Sequence, residues 1–99
     1  MNNFDIIWTL EAENDLDGIY EFYLQVSDLL AHKIISEIVL EADKIIYHEE
    51  FQVDDINPNY RRIIIRHFKI LYRIVESHII IFAVFDSRQN PIKLKKLQL

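Results

Sequence analysis

Three apolar, β-branched runs follow one another between Asn57 and Pro91 with almost nothing between them. Arg61–Arg66, Phe68–Val75 and Ile79–Phe85 each have the length and composition of a strand. The joins, near His67 and around Glu76–His78, are too short for any connection but a hairpin. This 35-residue stretch therefore dictates a small antiparallel sheet, and the rest of the chain has to cover it. Alternation assigns the faces. In the middle run Phe68, Ile70, Tyr72 and Ile74 form one set, apolar but for a hydroxyl, which should face the remaining chain. Lys69, Leu71, Arg73 and Val75 form the other, joined in the first run by Arg62, Ile64 and Arg66. A one-residue bulge would flip part of this assignment.

The covering elements are legible upstream. Phe4–Trp8 has the composition of one short strand. Thr9 then offers a helix N-cap, with Glu11 and Glu13 in the first turn where the helix dipole favours acids. Ala12, Leu16, Ile19, Tyr20 and Tyr23 recur at helical spacing, which predicts a helix over about Leu10–Val26. Gly18 weakens it by roughly 1 kcal/mol against Ala. Ser27 is the N-cap of a second helix, whose stripe is Ala31, Ile34, Ile35, Ile38, Ala42, Ile45 and Ile46. The short connection predicts an antiparallel helix hairpin. Residues 48–59 are polar and end near Pro58, as a loop does. The expected class is α+β in the order β-α-α-β-β-β, a helix hairpin on a small, mainly antiparallel sheet forming one domain over 1–99. Ile38, Ile45, Ile63, Ile70, Tyr72 and Phe82 should be buried together in its core.

Charge points to function. Residues 1–60 hold two basic and fourteen acidic side chains, a net −12; residues 61–99 hold nine basic and two acidic, a net +7. Such a split predicts that the C-terminal part meets an anionic partner; the plainer reading is that the two halves attract each other. Four cations, Arg62, Arg66, Lys69 and Arg73, stand within twelve residues on one predicted sheet face. They could be solvated strand residues that blunt an edge, or a binding surface with Arg88 at its rim. The tail beyond Pro91 is mixed in the same way, with Ile92, Leu94, Leu97 and Leu99 among Lys93, Lys95 and Lys96. The chain has no Cys, and His32, His48 and His78 lack partners at ligand spacing, so no metal site and no cofactor are read. The apolar runs are far shorter than the roughly 20 residues of a membrane helix, and no export signal is visible, so a cytoplasmic protein is expected.

Taken together, these pieces resemble the RelE/ParE superfamily, the toxins of type II toxin–antitoxin pairs, also called plasmid stabilisation proteins. Ala12 and Leu16 are similar to the family's opening helix, and Ser27 with Ala31 to its helix junction. Arg62, Phe68, Ile70, Tyr72 and Ile74 resemble its arginine followed by a YxIxYxI hairpin, and VFDSRQNP at 84–91 its Arg-rich, Pro-terminated end. The resemblance implies one of two modes of growth inhibition. RelE-like members cut mRNA on the ribosome, which needs cations around a crowded phosphate and a group to move the 2′-hydroxyl proton. Arg62, Lys69 and His67 are then the catalytic candidates. ParE-like members inhibit DNA gyrase without a known hydrolytic site, and the absence of a Tyr or His after Arg88, with the acidic overall charge, favours them. In either case Arg66, Arg73 and Arg88 are target-binding candidates. The resemblance also implies an acidic antitoxin partner, for which Ile64, Leu71 and Val75 are contact candidates. A module that only binds an antitoxin, without activity, stays open.

Overall fold

A computed structural model describes residues 4–47 and 53–88, and for Ile46 and Tyr47 the backbone alone. The elements are strand β1 (Asp5–Trp8), helices α1 (Leu10–Leu24) and α2 (Asp28–Asp43), a 3-10 turn (Lys44–Tyr47), and strands β2 (Arg61–Ile65), β3 (Phe68–Val75) and β4 (His78–Asp86). Both helix starts are set by local chemistry. Thr9 Oγ1 accepts the Ala12 amide at 3.1 Å, and Ser27 Oγ accepts that of Leu30 at 3.3 Å. Helix α1 stops at Leu24, two residues short of the expected end, where the amides of Val26 and Ser27 both turn back to the Tyr23 carbonyl.

The four strands form one mixed sheet in the order β1-β4-β3-β2. β1 runs parallel to β4, from Asp5 beside His78 to Trp8 beside Ile81, and the other pairs are antiparallel. The first strand thus lies beside the last, and α1 and α2 connect β1 at one edge of the sheet to β2 at the other. Together the elements form an α+β fold of two helices on one sheet face.

That face holds the main core. Ala12, Ile34, Ile38, Ala42 and Ile45 from the helical layer meet Ile63, Phe68, Ile70, Tyr72, Ile79, Ile81 and Val84 from the sheet. Ile38, Ile45, Ile63, Ile70 and Tyr72 lie there as expected; Phe82 does not. Pairing between β3 and β4 shifts register at Leu71/Tyr72: Leu71 stands opposite Ala83, Tyr72 opposite Ile81. Phe82 is the extra residue of this bulge and is turned to the opposite face, edge-on to Tyr60 with ring centroids 5.2 Å apart. A bulge inserts one residue into a period of two and so reverses the faces beyond it.

The opposite face is closed too, by the segment Val53–Tyr60. Tyr60, Leu71, Ala83 and Phe85 form a second buried cluster with Phe82 against it. The expectation of an open outer surface therefore fails at its centre: Leu71 is 0 % exposed. Both hairpins turn through a residue with left-handed φ, Arg66 at 55° and Glu76 at 56°.

Candidate functional site

The basic residues of the sheet sort into two groups. The first lies under the Val53–Tyr60 segment. Asp54 Oδ2 accepts the amides of Ile56 at 3.1 Å and Asn57 at 2.7 Å, which is the turn chemistry of an Asx residue before Pro58. Its other oxygen, Oδ1, lies 2.6 Å from Lys69 Nζ and 3.8 Å from Arg62 Nη1, while Arg62 Nη1 also donates to Asp55 Oδ1 at 2.9 Å. Lys69 is only 5 % exposed. Burial pushes the Asp54 carboxyl upward, but the hydrogen bonds from Lys69 and from the Asn57 and Ile56 amides outweigh it and hold the group below its ordinary range. Arg73 completes this group. Its Nε donates to the Asn59 carbonyl at 3.0 Å, and its guanidinium lies 4.5 Å from the Tyr60 ring centroid, a cation–π contact.

The second group stands at the β2–β3 turn and the end of β4. Tyr23 Oη and His67 Nε2 are 3.0 Å apart, and Asp86 Oδ2 is 3.6 Å from the same nitrogen. Arg88 grips Asp86 with Nε at 3.0 Å and Nη2 at 2.9 Å, and these bonds keep the Asp86 carboxyl below its usual value despite partial burial. Arg66 belongs here, not with Arg62. The left-handed turn takes it out of the strand alternation, and Nε and Nη2 donate to the two oxygens of Glu37 on α2 at 2.7 and 2.9 Å. The bonds from Arg66 lower the Glu37 carboxyl and raise the guanidinium.

The structure therefore brings Arg62, Lys69 and Arg73 together and places His67, Arg66 and Arg88 apart from them. The three apolar contact candidates do not form one patch. Ile64 pairs with Lys69 at one end of β3, and Val75 ends that strand six residues on, about 20 Å away at ~3.3 Å per residue. Both are exposed; Leu71 is buried between them. Sequence reasoning misses Tyr23, Asp54, Asp55, Tyr60 and Asp86. Asp54-x-x-Asn57-Pro58 carries a turn signal, but not what the turn covers. The mixed tail, 92–99, lies outside the described residues.

Beside the second group, a cleft of about 420 Å³ opens between α1 and the end of β4. It is lined by Gly18, Ile19, Phe22 and Phe85 with Asp15 and Arg88. β1 ends at Trp8 opposite Ile81, so β4 runs on past it, and Asp15 Oδ2 accepts the Val84 amide at 3.0 Å where no strand does. Among the described residues no group of three or more His, Asp or Glu is placed to hold a metal ion, and no helix is long and apolar enough to cross a membrane.

This architecture, a helix pair over a four-stranded mixed sheet whose hairpins carry paired cations, is that of the RelE/ParE-like fold. The family model described as "ParE toxin of type II toxin-antitoxin system, parDE" matches residues 6–91, and the chain belongs to that family of toxins. Among solved structures it is similar to one described as the chromosomal ParDE TA system from P. aeruginosa, with a TM-score of 0.76 at 21 % identity over 87 % of this chain and 98 % of that one. That likeness extends to the fold. No curated protein sequence matches the chain.

Proposed function

We propose that this ParE-family toxin arrests growth by binding DNA gyrase rather than by cutting RNA, and that a small antitoxin protein neutralises it in the cytoplasm. One observation carries the reading. The two cations expected around a phosphate, Arg62 and Lys69, are engaged by Asp54 and Asp55, and the Lys69 ammonium is almost wholly buried. A transition-state site for a phosphodiester needs donors aimed at solvent-accessible space where charge develops. Lys69 is instead committed to holding the segment Val53–Tyr60 to the sheet. What stays accessible around it is a rim of Arg62, Arg73 and the exposed Ile64, a surface suited to macromolecular contact. The antitoxin partner rests on the family and on the ParDE system to which the fold is similar.

The test pairs two assays after induced expression has been shown to stop growth. Purified protein should inhibit gyrase supercoiling and leave mRNA intact in cell-free translation. Ribosome-dependent cleavage without an effect on gyrase would reject the reading. It would favour the second one, an endoribonuclease, for which Tyr23, His67, Asp86 and Arg88 supply a proton-transfer pair next to a guanidinium. Absence of growth arrest, with antitoxin capture retained, would leave a binding module.

A further inference from the structure

The second group of polar residues is built around one ring nitrogen with two rival partners. His67 Nε2 lies 3.0 Å from the Tyr23 hydroxyl and 3.6 Å from Asp86 Oδ2. The first distance is a hydrogen bond and the second is not. Three elements meet there: Tyr23 stands in the last turn of α1, His67 in the β2–β3 turn and Asp86 at the end of β4. All three residues are half-buried, so solvent screens their interactions only in part. The other charges around the ring are already matched. Arg88 donates to both oxygens of Asp86, and Arg66, next to His67 in the turn, donates to both oxygens of Glu37 on α2. These carboxylates and guanidinium groups keep their charges across the neutral range, and an imidazole is the side chain whose charge ordinarily changes there.

We propose that His67 is a proton switch, which exchanges a bond to the helix layer for a pair with the sheet. In the neutral ring Nε2 is an acceptor and takes a hydrogen bond from the Tyr23 hydroxyl. The spacing favours this assignment. A nitrogen carrying a hydrogen would draw in the carboxylate, the stronger acceptor, yet Asp86 Oδ2 stays beyond hydrogen-bond reach. Protonation turns Nε2 into a donor. The Tyr23 hydroxyl then loses its acceptor, and the Asp86 carboxylate is shared between His67 and Arg88. The consequence falls on the cleft, because Tyr23, Asp86 and Arg88 all line it. Tyr23 is also where the chain leaves α1, since its carbonyl accepts the amides of Val26 and Ser27. A proton on His67 therefore loosens the end of α1 from the β2–β3 turn. The edge-on contact between the Tyr23 and Phe68 rings, with centroids 6.2 Å apart, does not depend on that proton and keeps the helix seated. The inference is independent of whether the target is gyrase or RNA.

A magnetic resonance titration of the full-length protein, from about pH 5 to pH 8, tests it. The chain has four histidines, and the His67 ring signals are those lost in His67→Gln. In the parent, the Tyr23 ring signals should change with the same midpoint as those of His67. Tyr23→Phe removes a bond that only the neutral ring makes, so the His67 midpoint should rise; Asp86→Asn removes the carboxylate that favours the charged ring, so it should fall. Each movement should be about 0.5–1 pH unit, the equivalent of one ordinary hydrogen bond. Arg88→Gln leaves Asp86 to His67 alone and should also raise the midpoint. A midpoint that falls or stays in Tyr23→Phe means that the hydroxyl does not donate to the neutral ring, and overturns the proposal. A midpoint unmoved in Asp86→Asn overturns it as well, as do Tyr23 signals that fail to follow those of His67.

Discussion

The two faces of the sheet are closed by different physics. On the helix side, twelve buried residues from both layers form a dry core in which each side chain shares its contacts with many others. On the far side a small apolar cluster under Tyr60 is joined by polar contacts centred on Asp54, which takes two backbone amides of its own turn and the ammonium of Lys69. The first arrangement is redundant and insensitive to charge. The second is smaller and partly polar, and its polar part leans on Asp54. It also answers the charge asymmetry of the chain, because Arg62, Lys69 and Arg66 each reach an acid from the N-terminal sixty residues. The attraction between the two halves is visible in the fold, and the cations left for a partner are fewer than the sequence alone suggests.

The contrast between the faces can be broken hardest at Ile70, which is fully buried. Ile70→Ala should lower stability by roughly 2–5 kcal/mol in urea unfolding, the range for a large aliphatic truncation in a packed core. Asp54→Ala comes next. It strands the Lys69 ammonium in a buried place and leaves two amides unpaired, which costs about 3 kcal/mol. Its signature differs in kind: hydrogen exchange should accelerate at Asn57 and Tyr60, in the covering segment, while the sheet strands and the helices stay protected. Uniform acceleration would mean that the two faces unfold as one unit and are not separately held.

Acid separates the faces more finely. The Asp54 carboxyl is held below its ordinary value in the folded state, so folding favours its deprotonated form. That contribution is complete above the unfolded value, about pH 3.9, and is lost as pH falls through the lower folded one. Stability should therefore drop below about pH 4, and Asp54→Asn should flatten this part of the curve while lowering stability at neutral pH. Asp86 and Glu37 are shifted in the same direction but at exposed pairs, where solvent screens the effect, so their variants should change the acid limb less.

What the sequence disclosed and what it hid follow one rule, the distance along the chain over which an interaction acts. Thr9 and Ser27 are legible as caps because each bonds an amide three residues on. The two faces of β3 are legible from alternation alone. The Phe82 bulge is not, since no local residue type marks where an antiparallel register slips. The site is least legible. Lys69 finds Asp54 fifteen positions earlier, and His67 meets Tyr23 at a separation of 44 residues, both brought together only by the sheet order. Arg62, Lys69 and Arg73 do share a face, as alternation predicts; that the face has its own cover is not readable, because a turn motif does not reveal where it docks.

The smallest expected effect compares the two hairpin turns. Each begins on a non-glycine residue with left-handed φ, Arg66 at 55° and Glu76 at 56°, where a Cβ crowds the backbone. Glycine relieves that strain at the cost of some unfolded-state freedom, so Glu76→Gly should raise stability by about 0.5–1 kcal/mol. Arg66→Gly relieves the same strain but also removes the two bonds to Glu37 that tie the β2–β3 turn to α2. It should therefore gain less than Glu76→Gly, and the deficit should shrink as salt is added, because the lost pair is exposed and screened. The two melting temperatures, taken at low and high salt, make the check. Equal gains at both turns and at both salt concentrations would mean that the Arg66–Glu37 pair adds nothing to the joint between helix layer and sheet, and that the dry core alone holds this end of the sheet.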